Sequence, residues 1–400
     1  MTYAQLAGVA LAVVVVVHVV GVAVAARRGT LPRRFAPAVA LTVAALVALT
    51  VVFDSVMVWA DLFRFDEARL LGVRLWRAPL EDLAWPVAAG LALPALRVAL
   101  APAPRPARAV GSTPSLVRGL LGTSRPLSWI NTAYPFAAAY LLAGGERWWL
   151  MAVATVFFLV PYNLAMYGIN DVFDYESDLA NPRKGGVEGI VLDRRLHRAT
   201  LWASALTTLP FLAVLVAAGT LASTAVLAVS MFAVVAYSAR GLRFKERPVL
   251  DSVTSATHFV SPAVFAVTLA GGAFTPHVLA VLAAFFAWGA ASQAFGAVQD
   301  VRADRSAGIA SIATVLGARR TVRLAVGGYV LAGALMLGAG WPGALGAVVP
   351  LGYAASVAPF RDVTDEDCER ANAGWRRFLW LNMVAGFLIT QLIIVILLQA

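Results

Sequence analysis

One cysteine, Cys368, occurs in 400 residues, which excludes a disulfide framework and a cysteine-rich metal centre. Charge is scarce too. Asp, Glu, Lys and Arg make up 14% of the chain against 60% hydrophobic residues, too little polar material to cover a water-facing surface. An ordinary soluble domain is thereby excluded, and no polar stretch is long enough for a separate one. What is abundant is apolar runs of about 20 residues, the length that crosses roughly 30 Å of hydrocarbon. They fall at 5–25, 36–53, 83–101, 128–145, 148–168, 199–218, 220–238, 252–271, 276–297, 322–339, 342–359 and 377–398. This predicts an all-α polytopic membrane protein with about 12 transmembrane helices. The first run, "AQLAGVALAVVVVVHVVGVAVAA", lacks the short basic start and small-residue cleavage site of a secretory signal, so a retained helix is expected. Its His18 reads as a helix-contact residue.

The net charge of +10 would suit a nucleic-acid partner if it formed one patch, but it does not. Alternate loops carry it: Arg27, Arg28, Arg33 and Arg34; Arg105 and Arg108; Arg183, Lys184, Arg194 and Arg195; Arg240, Arg243, Lys245 and Arg247; Arg302, Arg305, Arg319 and Arg320; Arg361, Arg370, Arg376 and Arg377. After position 78 the opposite loops hold little beyond Arg147. This is the positive-inside pattern, which predicts basic loops in the cytoplasm of a multi-pass cell-membrane protein, membrane lipid as the surroundings and no nucleic acid. Between the third and fourth runs, "PAPRPARAVGSTPSLVRGLLGTSRP" has the composition of a cytoplasmic linker. The expected division is 1–103 with three spans, a linker over 104–127, and 128–400 with nine.

Against this scarcity of charge, "GINDVFDYESDLANPRKGG" at 168–186 is unusual. If the fifth span continues past Gly168, then Asn170, Asp174 and Asp178 stack on one helical face, with Asp171 beside them. Carboxylates so placed repel one another near a low-dielectric boundary unless a cation sits among them. A second cluster, "FGAVQDVRADRSAG", spaces Asp300 and Asp304 four apart at the end of the ninth span. Oxygen ligands without nearby His or Cys favour a hard cation, and Mg²⁺ takes few carboxylates while sharing its octahedron with waters and phosphates. The expected metal ligands are therefore Asn170, Asp171, Asp174, Asp178, Asp300 and Asp304. Arg183, Lys184, Tyr237, Arg240 and Lys245 supply donors for a diphosphate.

The stretches "NDVFDYESD", "YSARGLRFKERPVLD" and "QDVRADRSAGIASIATVLG" on nine spans resemble the UbiA-type intramembrane prenyltransferase superfamily over about 128–400. "SRPLSWINTAYPFAAAYLL" and "AFGAVQDVRADRSAGIASIATV" look most like its lycopene elongase branch. The resemblance implies a nine-helix bundle with a central cavity, in which two aspartate motifs face each other across Mg²⁺ and diphosphate. Asp174, Asp178, Asp300 and Asp304 would then be catalytic, with Gln299 either beside a ligand or lining the cavity. In the first 103 residues, "FD" at 53–54 and "PLEDLAW" at 79–85 resemble the small subunits of heterodimeric carotenoid cyclases, in which one half works with a second. That likeness implies a carboxylic acid that protonates a polyene end, Glu81 first and Asp82 second, and a second cyclase half-subunit as partner.

Together these imply a C50 carotenoid biosynthesis protein that transfers dimethylallyl groups from dimethylallyl diphosphate to lycopene or a related carotenoid and contributes to ring closure. An alternative keeps the prenyltransferase but changes the acceptor to a quinone precursor, a chlorophyll-like ring or another polyprenyl lipid. A transporter would use intramembrane acids as a proton relay, but acids at helix ends beside a phosphate-suited basic set argue against it.

Overall fold

The computed structural model describes residues 2–59, 61, 64–101, 115–180 and 190–399, without the side chains of Ser177, Asp178, Ala180 and Leu379. By internal contacts the chain divides into two compact units, Met1–Ser112 and Thr113–Ala400.

In the smaller unit, α1 (Tyr3–Arg27) starts at a reciprocal cap in which Thr2 and Gln5 exchange backbone-to-side-chain hydrogen bonds. α2 (Phe35–Trp59) is followed by a two-stranded hairpin, β1 (Arg74–Leu75) and β2 (Ala78–Pro79), a 3₁₀ turn at Leu80–Leu83, and α3 (Ala84–Leu100). α3 packs on both long helices where small residues permit it. A Cβ on Gly21 would stand 3.0 Å from the Ala95 carbonyl oxygen, so glycine is what lets α1 and α3 approach. Gly90 does the same for α3 against Val43 of α2. His18 is indeed a helix-contact residue: its Nδ1 is 2.9 Å from the Leu91 carbonyl oxygen and its ring stacks on Phe35.

The larger unit begins inside the expected linker. α4 (Leu116–Thr123) packs on α7 and α9, a helix that eight residues of mixed composition did not announce. Next come α5 (Ile130–Leu142), α6 (Trp148–Leu159), α7 (Pro161–Phe173), α8 (Tyr175–Ala180), α9 (His197–Ala218), α10 (Leu221–Ser238), α11 (Leu250–Ala270) and α12 (Pro276–Val298). α13 (Val301–Ser306), α14 (Ile312–Leu316), α15 (Ala318–Met336), α16 (Val348–Val357) and α17 (Asn372–Gln399) complete it.

Eleven helical segments among the described residues, rather than twelve, are long and apolar enough to cross a membrane. The difference is α5, whose 13 residues span about 20 Å and are closed by Gly144 in a left-handed conformation. It survives by packing on α11. α6 and α7 act as one span interrupted at Pro161, which brings no N–H to the helical ladder. The apolar interior has two centres. One gathers Phe136, Phe157, Phe158, Tyr162 and Phe265 from α5, α6, α7 and α11. The other gathers Phe295, Tyr329, Tyr353 and Phe378 from α12, α15, α16 and α17. α11 and α12 join them where Gly289 meets Ala256.

The antiparallel order puts the α7–α9, α10–α11, α12–α15 and α16–α17 connections at one end of this bundle. At the other end Arg147, the exception in the charge pattern, donates to the carbonyls of Ala218 (2.9 Å) and Leu269 (3.3 Å), capping the ends of α9 and α11.

Candidate active site

Both aspartate motifs interrupt a helix. α7 ends at Phe173, Asp174 adopts φ −100° and ψ 3°, and α8 restarts at Tyr175, so the expected continuous stack is broken at its middle acid. The Asp174 N–H still reaches the Asn170 carbonyl at 2.9 Å, which keeps the two side chains one turn apart. α12 ends at Val298 in the same way, Asp300 occupies the break, and the Asp304 N–H reaches the Asp300 carbonyl at 2.8 Å. Asp300 and Asp304 are half-buried.

The loop between α10 and α11 carries a cation into the first motif. Gly241 at φ +86° and Arg243 at φ +41° turn the chain tightly, and Phe244 packs edge-on against Phe232 of α10. Lys245 therefore points inward. It is ion-paired with Asp174 and stands 3.4 Å from Asn170 Oδ1, which also accepts from Ser238 Oγ at 2.9 Å. Arg243 approaches Asp174 at 3.9 Å while holding Glu246. Burial pushes the Lys245 ammonium down to about 8. Glu246, Asp171 and Asp304 oppose that shift and Arg125 adds to it, so the field of the second motif's Asp304 is felt at the first.

Asp171 pairs with a different cation. Its fully buried carboxylate accepts from Thr123 Oγ1 and from Arg125 Nη2 at 3.2 Å, and the Arg125 guanidinium lies 4.2 Å from the centre of the Tyr167 ring. Arg125 escaped the sequence reading because it sits in a stretch whose composition spoke of a linker. Asp251 is the other omission. It accepts from Ser252 N (2.7 Å) and Ile312 N (2.8 Å), tying the start of α11 to α14, just after the second motif. α13 is held in turn by Arg305, which donates to the Thr314 carbonyl and to Asp365 (2.6 Å). Gln299 is buried and accepts from Asn372 Nδ2 at 2.6 Å. Tyr237 receives a 3.4 Å hydrogen bond from Gln293, and Arg240 is exposed. Arg183, Lys184 and the Asp178 side chain lie outside the described residues.

Among the described residues, no three His, Cys, Asp or Glu side chains converge as a metal-binding group. The donor chemistry nonetheless fits a hard cation supported by few protein oxygens. The Lys245 ammonium already sits between Asn170 Oδ1 and Asp174, a position where two oxygens of one helix turn address a single positive charge.

In the smaller unit three acids approach one another. Asp54 and Glu81 are buried, Asp82 is half-buried, and Asp82 neighbours Asp54. Glu81 Oε1 accepts from Leu71 N, and Asp54 Oδ2 and Glu81 Oε2 have no partner among the described residues. Next to Asp54, Ser55 accepts from Arg77 N (3.0 Å) and lines a cavity of about 410 Å³ with Val56, Trp59, Trp76 and Arg77.

Acids and bases thus gather at one end of this helical bundle, where two helices break. Residues 132–382 match the UbiA prenyltransferase family, and the chain belongs to that family. It is 52% identical over 398 residues to a C(50) beta-cyclic carotenoids biosynthesis protein of Dietzia sp., covering 92% of each chain. A lycopene elongase/hydratase of Corynebacterium glutamicum is 54% identical over 280 residues, 70% of this chain and 98% of that one. Among solved structures, a UbiA homolog from Archaeoglobus fulgidus bound to DMAPP and Mg²⁺ superposes with a TM-score of 0.50 at 16% identity, covering 67% of this chain and 98% of that one, which supports the fold.

Proposed function

We propose that this protein elongates lycopene with dimethylallyl groups in C50 carotenoid biosynthesis and that its smaller unit contributes to closing the end-group ring. The observation that carries the first half is the half-buried Lys245 ammonium bracketed by Asn170 and Asp174 within the field of Asp304, a site prepared for a polyanion and its counter-cation. Lys245, Arg243 and Arg125, with Arg183 and Lys184 from the sequence, hold the diphosphate and stabilise the negative charge that grows on it as the allylic C–O bond breaks. Asn170, Asp174, Asp178, Asp300 and Asp304 would hold Mg²⁺, which when bound would supply further neutralisation of that charge. The terminal double bond of lycopene attacks the allylic cation, forming a C–C bond and leaving a tertiary cation on the carotenoid. The surrounding helices keep water from the allylic cation until the polyene has attacked it.

The second half rests on the neighbouring Asp54 and Asp82 and on buried Glu81, which bring carboxyl groups to a membrane-embedded unit, and on the beta-cyclic product in the name of a relative that matches 92% of this chain. Such an acid protonates or guides a polyene end toward ring closure, with a second half-subunit completing the cavity. Expression in a lycopene-accumulating host supplying dimethylallyl diphosphate, followed by mass analysis of the carotenoids, tests both halves. The wild type adds one or two C5 units, Asp174→Ala adds none, and Glu81→Gln adds them but alters ring content. Unchanged lycopene from a folded wild type, with or without a second cyclase half, refutes the acceptor and points to a quinone or another polyprenyl lipid.

A further inference from the structure

Four histidines occur in the chain, and three of them have a backbone partner: His18 with Leu91, His197 with Leu192 and His277 with Gly338. His258 is the exception. It lies in α11, 67% of whose span is buried, and is itself 3% exposed, yet neither ring nitrogen has a hydrogen-bond partner among the described residues. Its neighbours are satisfied. Ser230 bonds Ser261 and Tyr162, Ser255 bonds Gln293, and Gln293 bonds Tyr237. Even the His258 backbone is held, its carbonyl accepting from the Tyr162 hydroxyl at 3.4 Å. The fold pins the main chain on which this imidazole stands and leaves the ring itself without a structural hydrogen bond.

Its surroundings connect it to the first aspartate motif. The Tyr237 ring meets it edge-on, with centroids 5.4 Å apart and planes at 80°, and the next residue, Ser238, holds Asn170 in the first aspartate motif. Seven residues separate His258 from Asp251 near the start of α11, a descent of about 10 Å into the bundle. His258 thus lies about two helical turns into the bundle from Asp251, against the tyrosine whose neighbour Ser238 holds the first aspartate motif. A neutral imidazole presents one nitrogen lone pair, and a base is what the end of the reaction lacks.

Resting on the prenyl-transfer reading above, we infer that His258 is the catalytic base that discharges the carotenoid cation. After the C–C bond forms, the adjacent C–H bond breaks. Its electron pair becomes the new double bond and its proton passes to the free ring nitrogen. Where water adds instead, an oxygen lone pair forms the C–O bond and the same nitrogen takes the proton of the resulting oxonium. The imidazolium then returns its proton to solvent as product leaves. Aromatic neighbours tolerate the passing positive charge without competing for the proton.

The test uses the full chain in nanodiscs with dimethylallyl diphosphate, lycopene and Mg²⁺, comparing His258→Phe, His258→Gln and His258→Ala. His258→Phe keeps the edge-on packing and His258→Gln keeps polarity, so one of them reports if the other does not fold. The expected result is donor affinity within about twofold of wild type, an unchanged melting temperature, and formation of elongated carotenoid lowered by about 10²-fold, the lower range for loss of a general base. Free imidazole restores turnover to His258→Ala and not to His258→Phe. Wild-type rates in His258→Phe overturn the inference, as does loss of rate matched by equal loss of donor binding or melting temperature, which would make the ring a packing element. A wild type that elongates nothing refutes the prenyl-transfer reading instead.

Discussion

Replacing Arg125 by alanine takes a cation from a fully buried carboxylate. Arg125 Nη2 is 3.2 Å from Asp171 Oδ1, with side-chain exposures of 21% and 0%. Breaking a buried pair by deleting one partner costs about 3–5 kcal/mol, and the Thr123 hydroxyl on the same carboxylate places this case at about 3. The guanidinium over Tyr167 adds roughly 0.5–1 kcal/mol. Arg125 also sits at φ +52°, a strain that alanine keeps and glycine releases, worth roughly 1 kcal/mol. Arg125→Ala should therefore cost about 3–4 kcal/mol and Arg125→Gly about 1 less. Asp171→Asn, which strands an arginine that reaches solvent, should cost about 1–2, and the double variant less than the sum of its parts. At about 2–4 °C per kcal/mol, Arg125→Ala should lower the melting temperature by roughly 6–16 °C. Thermal unfolding of the purified chain in detergent, followed by intrinsic fluorescence, measures this. An Arg125→Ala midpoint within about 2 °C of wild type, or an Asp171→Asn loss as large as that of Arg125→Ala, would refute the reasoning.

Lys245→Met should weaken binding of inorganic diphosphate, measured calorimetrically without metal, by about tenfold or more, since a charge-assisted hydrogen bond is worth about 1.5–3 kcal/mol; unchanged affinity would remove Lys245 from the site. Asp365 is held below the usual carboxylate range first by the Ala318 N–H and then by Arg305. The stability it contributes is present above the unfolded carboxylate pKa near about 4 and is lost as pH falls through the lower folded value. Asp365→Asn should thus cost about 1 kcal/mol at neutral pH and progressively less below about pH 4, seen as converging melting temperatures; a gap that widens on acidification would contradict this. Gly21→Val, whose Cβ would meet the Ala95 backbone at 3.0 Å, should destabilise the smaller unit by about 1–3 kcal/mol, read as faster proteolysis of that unit in detergent, whereas Gly8→Ala, facing open space, should be neutral.

Much was legible in the chain because it is local in the chain. Span length, the alternation of basic loops and the four-residue spacing of Asn170 with Asp174 and of Asp300 with Asp304 depend on hydrocarbon thickness and helix pitch, which any membrane imposes on any helix. The division of labour among neighbouring acids was not local. Asp171 and Asp174 are three residues apart, yet one is neutralised by Arg125, 46 residues earlier, and the other by Lys245, 71 residues later. Lys245 enters the site because Gly241, Arg243 and the Phe244 contact fold its loop inward, and Asp251 reaches Ile312 because α11 and α14 meet. The shortness of α5 was likewise hidden, since hydropathy counts apolar residues while helix length is decided by where the glycines end it and by its support on α11. The sequence by itself determined a membrane bundle with paired acidic motifs and bases to match. Only the tertiary structure decided which base meets which acid and which buried imidazole is left without a partner among the described residues, because desolvation and ion pairing act through space between residues the chain holds far apart.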